Sequence, residues 1–292
     1  MWVAFAFGSA VFAGLTAVLA KIGVRHTDST LATAIRTVVV LAASWLMVLV
    51  VGSAGQLATL TAPTLLFLVL SGLATGGSWL CYFRALQLGE VNRVTPVDRA
   101  SLALTVVFAM VFLGETDHLA TRVPGLVLIA VGTWLMVARA PGAPEAGQEP
   151  TRLSSGWLPW AIGSAVFAAL TAILGKVGIA GVESNLGTAV RTAVVLVMAW
   201  LMVAVTGRGK EVRRVPRRDL LFIVLSGLAT GASWLCYFRA LQEGPASVVA
   251  PIDKLSVVFT VGFSVFVLKE RLGRRAALGL ALLVLGTLLM LA

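Results

Sequence analysis

The sequence predicts an all-α polytopic membrane protein of ten transmembrane helices, arranged as two inverted five-helix repeats. Three observations carry this reading. The chain is 59% hydrophobic and only 12% charged, against roughly 25% charged in soluble domains, and its mean hydropathy of +0.96 excludes a soluble globular chain. Its 292 residues divide into ten apolar runs, each near the roughly 20 residues that a bilayer core of about 30 Å requires. The second half also repeats the first at a constant offset of 155 residues.

Taken in order, the apolar runs bounded by polar or Gly/Pro punctuation place the spans at 2–23, 30–51, 63–87, 94–113, 122–139, 157–178, 186–206, 219–242, 248–268 and 274–292. The first lacks a basic n-region and has a close copy in mid-chain, so it reads as a structural helix and not as a cleaved signal. The segment 140–156, APGAPEAGQEPTRLSSG, reads as a linker. It separates a first repeat, 1–139, from a second, 157–292.

The repeats are close. GSAVFAGLTAVLAK (8–21) returns as GSAVFAALTAILGK (163–176), and AIRTVVVL (34–41) as AVRTAVVL (189–196). LSGLATGGSWLCYFRALQ (70–87) returns as LSGLATGASWLCYFRALQ (225–242), and VTPVDRASLALT (94–105) as VAPIDKLSVVFT (249–260). An odd number of spans per repeat turns the second copy upside down in the membrane, the plan of many secondary transporters. Such similarity between halves suggests a recent or artificial fusion of a five-helix ancestor.

The net charge of +10 is a topology signal and not a nucleic-acid footprint, because the basic residues sit in loops between apolar runs. Loops after odd-numbered spans hold Arg25, Arg93, Arg139, Arg152, the cluster Arg208, Lys210, Arg213, Arg214, Arg217 and Arg218, and Lys269, Arg271, Arg274 and Arg275; loops after even-numbered spans hold little but Arg122. Lys and Arg accumulate on the cytoplasmic side, so both termini are placed outside.

Helical spacing picks out polar stripes. They are Ser9 and Thr16 on the first span, Thr33, Arg36, Thr37 and Ser44 on the second, and Thr75, Ser78, Trp79 and Tyr82 on the third. Asp98, Ser101 and Thr105 continue the pattern on the fourth. The second repeat carries the copies Ser164, Thr171, Thr188, Arg191, Thr192, Thr230, Ser233, Trp234, Tyr237, Asp253, Ser256 and Thr260. For a single hydroxyl, backbone bonding or close helix packing is the alternative. Ionisable residues inside spans are the stronger signal, because a charge there is costly and is usually paired or functional.

Arg36/Asp98 and Arg191/Asp253 are read as two gates, or two ends of one site, at opposite mouths. Arg99, Lys21 and Tyr82 accompany the first pair, and Lys254, Lys176 and Tyr237 the second. The alternative is snorkelling of the basic side chains to the headgroups with Asp as counter-ion. Trp45 and Trp200 are read as packing or lipid-facing residues, Arg84 and Arg239 as interfacial anchors, and Glu115 and Glu270 as structural groups at helix ends. His26 and His118 have no ligand-like partner nearby, so neither a metal nor a cofactor is expected. The chain has no nucleophile elbow, Walker loop or HExxH motif, and no enzyme is expected.

Each repeat carries ALQ-G ahead of its fourth helix, then PVD or PID, and a glutamate at that helix's end, Glu115 in FLGE and Glu270 in VLKE, followed by a Gly-punctuated fifth helix. This resembles the EamA family of the drug/metabolite transporter superfamily. The resemblance implies a basket of helices around a central cavity lined by spans 1–4 and 6–9, with the fifth and tenth peripheral, and export or exchange of small metabolites. The expected location is the inner membrane of a bacterium.

The charge balance then narrows the expected function to a secondary transporter of a small polar metabolite, an amino acid or other carboxylate- or anion-bearing solute. The expected site comprises Arg36, Asp98, Trp79, Tyr82, Ser101 and Thr16, with Arg191, Asp253, Trp234, Tyr237, Ser256 and Thr171. The alternatives are a passive channel and a multidrug exporter. The expected partners are a small solute and the lipid bilayer; proton coupling through Asp98 and Asp253 stays open beside exchange or facilitated diffusion, as does the choice between monomer and homodimer. The topology has a direct test. With the Arg208–Arg218 loop in the cytoplasm, a cysteine introduced at position 212 resists a membrane-impermeant thiol reagent on intact cells, and labelling from outside overturns the orientation.

Overall fold

The computed structural model describes residues 1–24, 26–88, 94, 97, 100–137, 156–266 and 273–291. Among these are eleven α-helices, two 3-10 helices and no strand. The helices are α1 (Trp2–Gly23), α2 (Ser29–Val51), α3 (Ala62–Leu88), α4 (Ser101–Leu113), α5 (Leu119–Val137), α6 (Trp157–Ile179), α7 (Ser184–Val205), α8 (Arg217–Glu243), α9 (Ala246–Lys254), α10 (Ser256–Phe266) and α11 (Arg274–Leu289). The 3-10 helices, Ser53–Thr59 and Arg208–Arg214, follow α2 and α7.

Local chemistry sets these limits. Asp28 starts α2 by accepting from the Thr30 and Leu31 amides, and Glu183 starts α7 by accepting from those of Asn185 and Leu186. Gly52 ends α2 in the left-handed conformation, φ 74°, where a glycine carries no Cβ penalty. Gly114 does the same for α4 at φ 66°.

Seven of the helices, α1, α2, α3, α5, α6, α7 and α8, are long and apolar enough to cross a membrane. The expected ninth span, 248–268, is not one continuous helix. It breaks into α9 and α10 at Leu255, where i to i+3 bonds, Leu255 N–H to Ile252 O and Val258 N–H to Leu255 O, replace the α-pattern. Pro251 inside α9 contributes no backbone donor. The expected fourth span is described as helix from Ser101 onward.

α1 packs along α8 and α6 along α3, while α2 packs on both α7 and α8, and α3 on both α6 and α7. α5 and α11 pair with each other. In the first two pairs the contacts run in reversed order. Ser9 and Thr16 of α1 meet Ser233 and Thr230 of α8, and Ser164 and Thr171 of α6 meet Ser78 and Thr75 of α3. Each pair is therefore antiparallel. Many large apolar side chains, among them Leu46, Leu49, Val111, Val197 and Val205, lie exposed, as befits surface that meets lipid.

Lipid offers no hydrophobic drive between helices, so contact depends on small residues and close van der Waals fit. A Cβ added to Gly72 would lie 2.7 Å from Val194 Cβ and 2.8 Å from the Arg191 carbonyl oxygen. At its counterpart Gly227 the distances are 2.7 Å to Val39 Cβ and 3.1 Å to the Arg36 carbonyl oxygen. These glycines let α3 approach α7, and α8 approach α2, at the arginine positions. Gly72→Val is expected to cost about 1–3 kcal/mol through overpacking, measured by denaturant unfolding in detergent micelles. Gly55→Ala, with nothing within 4 Å of its added Cβ, is expected to be neutral.

Candidate substrate pathway

Two hydroxyl ladders line the antiparallel pairs. On one side Ser78 Oγ donates to the Ser164 carbonyl at 3.1 Å and Ser71 Oγ to the Thr171 carbonyl at 2.8 Å, while Thr75 and Thr171 share a bond of 3.3 Å. On the other side Ser233 donates to the Ser9 carbonyl and Ser226 to the Thr16 carbonyl, both at 3.2 Å, and Thr16 and Thr230 meet at 3.2 Å. Thr16 and Thr171 are thus paired across helices.

Arg191 of α7 projects into the first ladder. It lies seven residues beyond the start of its helix, about 10 Å along the axis, and is only 1% exposed. Its Nη2 donates to Thr75 Oγ1 at 2.8 Å and its Nε to Ser71 Oγ at 3.3 Å. The guanidinium also lies over two aromatic rings, 4.3 Å from the Phe238 centroid and 4.9 Å from that of Trp234, within cation–π range. Its Nη1 is buried without a hydrogen-bond partner. Two neutral hydroxyls and two ring faces therefore surround a positive charge that has the N–H groups of Nη1 to spare.

Asp253, near the break between α9 and α10, accepts from Ser9 Oγ at 2.6 Å. Tyr237 packs in the apolar cluster that holds Ile252, the residue before Asp253, together with Trp234 and Phe238, the rings over Arg191. No ion pair joins Arg191 to Asp253 among the described residues. The two expected partners instead share one neighbourhood, each bonded to hydroxyls. Ser256, one turn on, is half-buried, and its carbonyl lies against Gly14 of α1.

The first repeat differs. Arg36 is half-buried, and its Nη2 reaches Thr33 Oγ1 of its own helix at 3.5 Å. Trp79 packs on Leu31, Ala34, Ala199 and Val203, and Tyr82 on Ala85, Val94 and Ala161. Ser101 opens α4, where its carbonyl accepts from Thr105. Asp98, expected beside Arg36, lies outside the described residues, as do Arg99 and Glu270. Trp45 and Trp200 pack between α2 and α7 as expected for structural tryptophans.

Some groups escaped the sequence reading. Phe238 beneath Arg191 has no polar signal, although it sits in the repeated WLCYFR segment. Lys176, expected to snorkel, is instead tied within the protein. Its Nζ donates to Glu115 Oε1 at 2.8 Å and also to the Gly244 carbonyl. Glu115 further accepts from the Ala246 and Ser247 amides and the Ser247 hydroxyl. Burial alone would raise the Glu115 carboxyl, but the Lys176 ammonium and the Ser247 and Ala246 donors outweigh it and hold it below its ordinary value.

At the opposite end of α8, Asp219 accepts from the His26 amide and the Thr27 hydroxyl, fastening the α1–α2 turn. A polar cavity of about 390 Å³ opens beside α7 between Gln56, Thr61, Glu183, Arg239 and Gln242. Arg239, expected as an interfacial anchor, lines this cavity and pairs with Glu243 at 2.7 Å. No cluster of three or more His, Cys, Asp or Glu suited to a metal occurs among the described residues.

The comparisons with known proteins agree with this architecture. The model of the EamA-like transporter family matches residues 1–138 and again 155–292. A Sinorhizobium protein, described as an uncharacterized transporter in the cobO 3' region, is 49% identical over 138 residues, which are 47% of this chain and 98% of that protein. An uncharacterized Methanocaldococcus jannaschii protein is 25% identical over 100 residues, 31% of this chain and 73% of its own length. A protein crystal structure superposes with a TM-score of 0.74 at 18% identity, over 99% of this chain and 96% of the other, and shares the fold. With two family matches that together fill nearly the whole sequence, the chain belongs to the EamA-like transporter family and is a multi-pass integral membrane protein that moves small solutes.

Proposed function

We propose that the protein is a secondary transporter of small polar metabolites bearing a carboxylate, amino acids among them, working by alternating access as an exporter or exchanger in a bacterial inner membrane. The two halves act as inverted repeats whose arginines take turns. The observation that carries this reading is the unequal state of Arg191 and Arg36. Their backbones sit in matching positions, each carbonyl against the glycine of a crossing helix, Gly72 or Gly227. Yet Arg191 is sealed at 1% exposure between Ser71, Thr75, Trp234 and Phe238, while Arg36 is half-buried and bonds within its own helix.

Two near-identical half-sites in different states are what a carrier caught with one mouth shut presents. Further support comes from the reversed order of contacts in the α1–α8 and α6–α3 pairs, which fits repeats lying upside down to one another. With the loop charges read as cytoplasmic, Arg191 belongs to the shut external mouth and Arg36 to the cytoplasmic one.

The chemistry of the half-sites sets the substrate class. A guanidinium with an uncommitted N–H recognises a carboxylate through charge-assisted hydrogen bonds, and the Trp and Tyr beside it offer an apolar face. Asp253 near Arg191 suits the ammonium of a zwitterion.

Counterflow in proteoliposomes tests the reading. Carboxylate-bearing solutes, screened first by the thermal stabilisation that binding confers, are expected to show a transient overshoot. Arg191→Gln and Arg36→Gln are each expected to lower the rate roughly 10- to 100-fold, the worth of a charge-assisted bond. Thr59→Ala, on the exposed 3-10 helix, leaves it unchanged. Uptake without overshoot would identify a channel. Preference for lipophilic cations, or arginine variants that transport normally, contradicts the proposal.

A further inference from the structure

The carrier reading leaves Glu115 without a task, although its carboxylate accepts four hydrogen bonds, one of them from an ammonium. Its Oε1 accepts from Lys176 Nζ at 2.8 Å and the Ala246 amide at 2.9 Å; its Oε2 accepts from the Ser247 amide at 2.9 Å and the Ser247 hydroxyl at 2.7 Å. Arg122 Nη1 holds its backbone carbonyl at 2.8 Å. Three elements meet there: the end of α4 from the first repeat, and the end of α6 and start of α9 from the second. The Glu115 side chain is 11% exposed and that of Lys176 22%, so water screens the pair poorly.

We infer that Glu115 and Lys176 form the latch that keeps the Arg191 mouth shut, with α9 as the element it releases. The geometry gives α9 two fastenings. Its first turn presents free N–H groups and a partial positive charge, and Glu115 satisfies both. Near its other end Asp253 is tied to Ser9 of α1. The break at Leu255 and the missing donor of Pro251 separate this short helix mechanically from α10. Opening therefore pivots α9 away from α4 and α6 once the carboxylate lets go, and loosens the apolar cluster in which Val248, Val249 and Ile252 pack with Phe238 and Trp234, the rings over Arg191. The role of a helix-end acid is then conformational: it joins the two repeats in one state and not in the other.

This inference rests on the alternating-access reading, and spin-label distances test it without any substrate. Labels are placed at Asp117→Cys, in the α4–α5 turn, and Pro245→Cys, at the start of α9, in a background carrying Cys81→Ala and Cys236→Ala. Position 117 is exposed and position 245 half-buried, and both line one surface cavity beside Trp2. In lipid nanodiscs at neutral pH the otherwise unmutated chain is expected to show mainly the short distance. Glu115→Gln and Lys176→Met each raise the ratio of long to short distances about tenfold or more, as expected when bonds to a charged group are lost. The double variant goes no further than the larger single effect, because both act through one contact.

Ser247→Ala removes one donor and strands no charge, so it folds under conditions where the others fail; it is expected to give a smaller shift in the same direction. Unchanged distances in Ser247→Ala together with either charge variant overturn the latch. The outcomes separate from those of the transport reading. Counterflow that succeeds with unmoved labels removes the latch alone, and labels that move in a protein showing no counterflow remove the carrier reading alone.

Discussion

The structure turns on the burial of one guanidinium. Arg191 carries its charge into a lipid-bounded bundle with no ion-paired carboxylate among the described residues, and it is tolerated because Ser71, Thr75 and two aromatic faces supply electron-rich partners. An isolated charge in such surroundings is expensive, so the helices around it have little freedom in how they meet. Gly72 and Gly76 bring α3 against α7 closely enough for the two hydroxyls to reach the guanidinium. The same hydroxyl helix is fastened to α6 through the carbonyl of Thr171 and the hydroxyl of Thr75. Packing and charge are thus solved together, by small residues that admit a long polar side chain.

The near duplication makes that solution informative. Every partner of Arg191 has a copy 155 residues away, Ser226, Thr230, Trp79 and Phe83; Ser226 and Thr230 lie on α8, which packs on α2, and Trp79 packs against the cluster that holds Leu31 and Ala34 of α2. In the proposed cycle the two sets of residues take turns in closing on their arginines. The Sinorhizobium relative has the length of one half, since 138 matched residues make up 98% of it. In this chain each ladder joins a helix of one half to a helix of the other, α1 to α8 and α6 to α3. The pair Lys176 and Glu115 is likewise echoed in sequence by Lys21 and Glu270.

Much of this was legible in the residues. Span limits followed the apolar runs, because lipid requires each backbone polar group to be satisfied within its own helix, and α1 occupies the very range that its composition marked out. The stripes of Ser, Thr and Trp were visible because they recur at helical spacing in both copies. What escaped was contact between distant segments. Helical spacing placed Arg191 and Asp253 in one region and made them a pair, yet hydroxyls from α1 and α3 satisfy each separately. A mid-span break at Leu255 left no composition signal beyond Pro251. Glu115 read as a bland helix end, because its five donors come from positions 7 to 132 residues away.

The central claim is that the two arginines exchange states. Its most direct test is an experimental structure of the protein held open at the Arg191 end, for instance by cryo-electron microscopy with a conformation-selective antibody fragment. The account predicts that Arg36 then donates to Ser226 and Thr230 at about 2.7–3.3 Å beneath Trp79 and Phe83, while Arg191 has left Ser71 and Thr75. A protein open at that end with Arg191 still in its cage, or with Arg36 reaching neither Ser226 nor Thr230, would contradict it.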